Sequence, residues 1–309
     1  MHACGHDSHM AWWLGTARAL LDMKDQWRGT LMFIGQPAEE KIAGAQAMVD
    51  DGLFKRWPKP DFGFAAHVGP LPVGTVSVKD GVVSSASDTL HIRFNGVGAH
   101  GSMPDASIDP IVIASHFVTD VQTVISREKD PKAFGVITVG SFIAGSAPNI
   151  IPDHANLMLT LRSFDADTRK LQIDGVTRTA RAVAAMARAP EPVITRPEGT
   201  AAVINDSALS ARMAAVLGQA IGKDLNFIPA TESGMNGSED YSVFIEAGVP
   251  SVFFGIGGYD LEKIRSYKKQ GKALPVNHSP FFAPDPEPTI RRGVETLTLA
   301  VLSVATPGQ

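Results

Sequence analysis

The densest group of metal-capable side chains lies at the very start of the chain, in Met1-His2-Ala3-Cys4-Gly5-His6-Asp7-Ser8-His9. Cys4 and His6 stand two residues apart with a glycine between them, so a thiolate and an imidazole can turn toward one ion. A lone cysteine is ordinarily a small buried hydrophobe, and histidines here could simply decorate a helix start. Three histidines and an aspartate in the same short stretch weigh against that reading without deciding it. Further on, Gln36-Pro37-Ala38-Glu39-Glu40 sets two carboxylates side by side. Adjacent acids repel and are ordinarily solvated; the chemical alternative divides the work, one acid ligating a metal and the other serving as a general base. His67, in Ala65-Ala66-His67-Val68, and His278, in Val276-Asn277-His278-Ser279-Pro280, are unremarkable singly. As a set, Cys4, His6, Glu40, His67 and His278 fall at or near the ends of predicted strands or in the loops that follow. Five such S, N and O donors suit two transition-metal ions sharing a water.

The elements that must position them alternate between strand and helix. Met10, Trp13, Leu14, Ala17, Leu20 and Leu21 share one helical face. Thr30 to Ile34 reads as a buried strand stopped by Pro37, Ala43 to Asp50 as a helix closed by Gly52, and Phe62 to Ala66 as a strand running into His67. Polar residues at strand ends suit an open α/β sheet. From Ser84 the pattern becomes β-α-β-β-α-β, the split ferredoxin-like unit, with helical stripes at Ile111–Ile125 and Ile173–Ala187. After Pro197 the α/β pattern resumes. Asp206 caps a helix, Pro250 to Phe254 makes a strand, Tyr259 to Leu274 forms a surface loop or short helix, and Thr289 to Val304 is the last helix. The expected division is a catalytic unit from 1–83 and 197–309, with 84–196 as an inserted lid.

At 309 residues, 44% hydrophobic and 19% charged, the chain can fold as one or two globular domains. A net charge of −4 offers no electrostatic footprint for nucleic acid. Cys4 is the single cysteine, so no internal disulfide forms and a reducing compartment, the cytoplasm, is expected. No apolar run is long enough for a membrane helix, and the opening lacks the basic and apolar regions of a secretory signal.

Seven segments in order carry a resemblance: Met1 to His9; Gly35 to Glu40 with Gly44-Ala45; Ala66-His67; Gly98-Ala99-His100-Gly101-Ser102-Met103-Pro104; Pro148-Asn149-Ile150-Ile151-Pro152-Asp153; Gly237-Ser238-Glu239-Asp240; and Asn277-His278-Ser279-Pro280. The chain resembles the metallo-aminopeptidase-like amidohydrolases, a family that includes hippurate hydrolases, N-acyl amino acid hydrolases, auxin–amino acid conjugate hydrolases and N-acetyldiaminopimelate deacetylases. The resemblance implies an α/β open-sheet metallohydrolase with an inserted ferredoxin-like lid that also serves in homodimerisation. It implies Cys4, His6, Glu40, His67 and His278 as ligands of two divalent ions, of zinc, manganese, cobalt or nickel, and Glu39 as the general base. His100 matches a lid histidine that helps polarise the scissile carbonyl, and Asn149 and Arg162 match lid positions near the substrate. The implied reaction is hydrolysis of the amide bond of an N-acyl amino acid or dipeptide-like substrate.

In that family several strand–helix units and an Asp-x-Asp segment precede Cys-Gly-His, on the order of a hundred residues at about 30 per unit. Their absence before Met1 leads us to expect a fragment, a misassigned start codon or a shortened protein, with exposed apolar faces, an unpaired sheet edge and a fraying Cys4–His6 segment. Two rivals follow. One is a truncated, non-catalytic remnant acting as a dimerisation or interaction protein. The other is a redox enzyme using the Cys/His site, disfavoured because there is no second cysteine and no glycine-rich dinucleotide fingerprint.

Overall fold

The computed structural model of the chain describes residues 2–305. Met1, part of the opening motif, and residues 306–309 of the expected catalytic segment lie outside the described residues. In chain order the elements begin with helices α1 (His6–Asp22), α2 (Gly44–Asp50) and α3 (Leu53–Arg56), then strands β1 (Gly63–Pro72), β2 (Val76–Lys79) and β3 (Gly81–Ser84). Next come β4 (Ala86–Asn95), β5 (Ala99–His100), α4 (Pro110–Asp120), β6 (Gly135–Ala144), β7 (Ile150–Ile151), β8 (His154–Ser163), α5 (Ala166–Met186) and β9 (Val193–Thr200). The remainder is β10 (Val203–Asn205), α6 (Ser207–Ile221), β11 (Leu225–Ile228), α7 (Ser242–Glu246), β12 (Ser251–Tyr259), α8 (Leu261–Lys269) and α9 (Pro286–Ala305).

Two four-stranded sheets organise these elements. The first has the order β1-β12-β2-β11, with β1 parallel to β12 and β2 antiparallel to it. β12 is buried along nearly its whole length, as a central strand covered on both faces must be. The helices cover a core of Trp12, Val68, Val78, Met213, Leu217, Phe254, Ile256 and Tyr259. Asp206 caps α6 as expected, its carboxylate accepting from Leu209 N at 2.7 Å.

The second sheet is antiparallel throughout, in the order β6-β8-β4-β9. Counting only these strands, the first lies between the fourth and the third, which is the ferredoxin-like order expected from the β-α-β-β-α-β pattern. Leu90, Ile92, Phe94, Leu157, Leu159 and Leu161 alternate onto the face covered by Ile113 and Phe117 of α4 and Val176 and Ala180 of α5. The chain leaves the first unit through β3 and returns through β10, which pairs antiparallel with β3. β9 carries the second sheet on to Thr200, beyond residue 196.

Three local readings change. α1 buries Ser8, Trp12, Thr16 and Leu20, while Met10, Trp13, Leu14 and Leu21 are exposed. The reason is a close approach to α9: a Cβ at Gly293 would sit 2.3 Å from Trp12 Nε1, and that indole donates to Thr289 O at 3.0 Å. The segment Thr30–Ile34 forms no strand and joins no ladder among the described residues. Accordingly β1 pairs only with β12, and its other edge is open among the described residues. Finally β1 runs on to Pro72, so His67 lies inside the strand and not at its end. The excursion after Tyr259 contains a true helix, α8, capped by Asp260.

Candidate metal centre

Four segments meet beside the carboxyl-terminal half of β1: the turn before α1, the turn Glu39–Lys41, β1 itself and the loop before α9. Gly5, the cap residue of α1, adopts φ 82°, and a Cβ there would lie 2.4 Å from Val68 Cγ1. A glycine is therefore required to press Cys4 and His6 against β1. Glu39 and Glu40 sit on a single 3-10 turn flanked by Ala38 (φ 52°) and Ile42 (φ 51°). His278 has φ 72°. Left-handed backbone at residues other than glycine is sterically costly and gathers at functional sites.

The side chains converge. Cys4 Sγ lies 3.4 Å from His67 Nε2. His6 Nε2 is 3.5 Å from Glu39 Oε2 and 3.9 Å from Glu40 Oε1, and His278 Nε2 is 3.3 Å from Glu40 Oε2. Three overlapping groups each have their donor atoms within 4.8 Å of one another: Cys4, His6 and His67; Cys4, Glu40 and His278; His6, Glu39 and Glu40. His67 donates from Nδ1 to its neighbour Val68 O at 2.8 Å, so Nε2 keeps its lone pair facing the cluster. Three residues beyond His6 on α1, His9 accepts from Val68 N at 3.0 Å and packs edge-on to His67. The Asn277 amide donates to Cys4 O and Val68 O at 3.1 and 3.0 Å.

Burial sets the protonation states. It holds His67 down to about 4 and lowers His6 and His9 as well, so these imidazoles are neutral near pH 7. Burial first, then the negative charge of Glu40, pushes the Cys4 thiol up to about 12. Glu39 rises to about 7 through burial, Glu40 and Asp240 in that order. Glu239 is raised well above the carboxylate range by burial and by the charges of Glu39 and Asp240. The donor set fits divalent transition metals, and Cys4, His6, Glu40, His67 and His278 are the residues that would hold them.

The other three expected residues stand elsewhere, on the inserted unit. His100 is exposed on β5; Ser102 N approaches its Nδ1 at 3.2 Å, and Ser102 Oγ at 2.7 Å. An acceptor role for Nδ1 leaves the ring proton on Nε2. His100 lines a cavity of about 750 Å³ with Ile143, Ile150 and His154. Asn149 is exposed, its carbonyl accepting from Gly101 N. Arg162 is half-buried on β8, with Nη1 lacking any partner among the described residues. No hydrogen bond or ion pair among the described residues links these three to the cluster.

The sequence assigns no individual role to Asp240, His9 or Asn277, although each stands in one of the motifs quoted above. Asp240 is fully buried and accepts from Gln36 Nε2 at 2.5 Å and from Ala45 N at 2.7 Å. It thereby ties the Gly237–Asp240 motif to the segments on either side of the turn that presents Glu39. The motifs containing these residues were visible, but their targets are 195 or more residues away for Asp240 and 209 to 273 for Asn277.

The profile of peptidase family M20/M25/M40 matches residues 1–302. The chain belongs to that family. Among curated M20/M25/M40 relatives, the N-acetyldiaminopimelate deacetylase of Oceanobacillus iheyensis is 44% identical over 168 residues, 54% of this chain and 44% of that protein. The hippurate hydrolase of Campylobacter jejuni is 38% identical over 60% of this chain and 48% of its own length. This chain thus spans about half the length of these two relatives. Among solved structures, one from methicillin-resistant Staphylococcus aureus superposes with a TM-score of 0.84 at 28% identity, covering 99% of this chain and 75% of that one. The Bacillus subtilis YXEP protein, described as a dinuclear metal binding peptidase from the M20 family, gives 0.74 at 26% identity over 99% and 73% of the two chains.

Proposed function

We propose that this M20/M25/M40 chain hydrolyses the amide bond of small N-acyl amino acids or dipeptide-like substrates with two divalent metal ions. The observation that carries the reading is the convergence of Cys4, His6, Glu40, His67 and His278 on one another beside Glu39. The deacetylase and hippurate hydrolase relatives support the substrate class. When bound, the ions would supply positive charge that acidifies the attacking water and polarises the carbonyl.

The residues of the chain do the rest. Glu39 is a partly buried carboxylate whose raised pKa suits it to take a proton from water near neutral pH and return it to the departing amine. Bound cations lower that pKa and favour the base form. His100, with its proton on Nε2, is suited to donate to the developing oxyanion, after movement of the lid or from a second subunit. Arg162, with an unfilled donor, and Asn149 are suited to fix the substrate's polar groups. The lid sheet ends in β6, an edge strand that exposes Val136, Phe142 and Ile143, which supports homodimerisation through this unit. A cytoplasmic location rests on the single cysteine; no helix among the described residues is long and apolar enough to cross a membrane. Nothing in the comparisons favours a non-catalytic remnant.

The test is hydrolysis of N-acetyl and N-benzoyl amino acids by metal-loaded protein, with Glu39→Gln as the control. Turnover is expected to fall by at least ~10²–10⁴-fold in the variant, with metal content unchanged. Equal activity in the variant removes Glu39 from its role, and no activity in metal-loaded wild type removes the proposed reaction.

A further inference from the structure

We infer that Asn277 is a positioning residue that clasps the segments bearing Cys4, His67 and His278 into one metal-binding geometry; this rests on the metal-dependent reading above.

Three chain segments that are remote in sequence carry these donors, and the Asn277 side chain is bonded to two of them while belonging to the third. Its amide nitrogen lies 3.1 Å from Cys4 O, 3.0 Å from Val68 O and 3.8 Å from Cys4 Sγ. An amide nitrogen carries two hydrogens, so the two carbonyls take one each and the sulfur is a third, longer contact. The opposite amide orientation would aim its oxygen at two carbonyl oxygens, which electrostatics forbids. The same Val68 carbonyl also accepts from His67 Nδ1 at 2.8 Å. Asn277 therefore fixes the carbonyl that fixes the His67 ring. Next to it, His278 N donates to Ala3 O at 2.7 Å, so the loop is sewn to the Cys4 turn at consecutive residues. His278 itself sits at φ 72°, a conformation that needs support from its surroundings. Cys4 Sγ against His67 Nε2 and His9 against Val68 N join the amino-terminal segment to β1; the Asn277 amide adds a link that ties both of them to the His278 loop as well. Groups of this kind hold first-contact ligands in register, and losing one typically lowers metal affinity about 10–100-fold.

The experiment is titration of the metal-free full chain with Co²⁺, followed by the thiolate-to-cobalt charge-transfer band and by calorimetry. Wild type, Asn277→Ala, Asn277→Asp and Ser279→Ala are compared. Asp has the volume of Asn but donates nothing, so it separates donation from shape. It also serves as the readout if Asn277→Ala does not fold. Among the described residues the Ser279 hydroxyl has one hydrogen-bond partner, Phe281 N, which makes it the local control. Both Asn277 variants are expected to bind Co²⁺ about 10–100-fold more weakly, with a diminished or shifted thiolate band, and Ser279→Ala to match wild type. A wild-type protein without a thiolate band overturns the metal-centre reading. A wild-type band that both Asn277 variants reproduce, at unchanged affinity, overturns the clasp alone, even if those variants melt earlier.

Discussion

Glu39 shows how burial among like charges shifts an acid. Its carboxyl is partly buried beside Glu40 and Asp240, and its pKa rises from 4.5 to about 7. A raised acid favours the folded state fully below the unfolded pKa and loses that contribution as pH rises through the folded one. In the metal-free protein Glu39 is thus a liability above pH 7. Glu39→Gln is expected to stabilise the metal-free protein at pH 8 by on the order of 2–3 kcal/mol, the gain vanishing as pH falls toward 4.5. Urea unfolding at several pH values measures it; an equal gain at all pH values would mean that ionisation is not the cause. At this scale the donor types were legible, because thiol, imidazole and carboxylate announce their chemistry. The supporting roles of His9, Asn277 and Asp240 were not, since hydrogen bonds that span 59 residues for His9 and 195 or more for Asp240 and Asn277 leave no mark on local spacing.

Among the elements, α1 illustrates what periodicity can and cannot say. Its apolar residues Met10, Trp13, Leu14, Ala17, Leu20 and Leu21 share the face expected to be buried, yet the buried residues are Ser8, Trp12, Thr16 and Leu20, with only Leu20 in common. The choice is made by close contact with α9, where Trp12 lies on Gly293. Gly293→Ala is expected to cost about 1–3 kcal/mol by displacing Trp12, measured by thermal unfolding. Because α1 starts at His6, metal affinity should fall with it. Thr30–Ile34 has the composition of a buried strand but no neighbour to pair with among the described residues, and composition cannot report a missing partner. The lid was legible for the opposite reason: its alternating strands and helical stripes find all their partners within 86–200.

For the molecule as a whole, the proposed ligands come from positions 4, 6, 40, 67 and 278, so ions bound there would staple the amino-terminal turn to the loop before α9. Chelation is expected to lower the midpoint of thermal unfolding, and re-addition of metal to restore it. The exposed edge of β6 bears on assembly. Light scattering is expected to give twice the 32.8 kDa chain mass, and a charged substitution, Ile143→Lys, to shift it toward the monomer. A wild-type monomer would leave the lid without its proposed partner.

Anomalous diffraction from crystals of the metal-loaded protein bears most directly on the metal pair. Two peaks are expected within bonding distance of donors from Cys4, His6, Glu40, His67 and His278, with Glu39 beside them and unbound. Peaks at other residues, or none at this cluster under saturating metal, would contradict it.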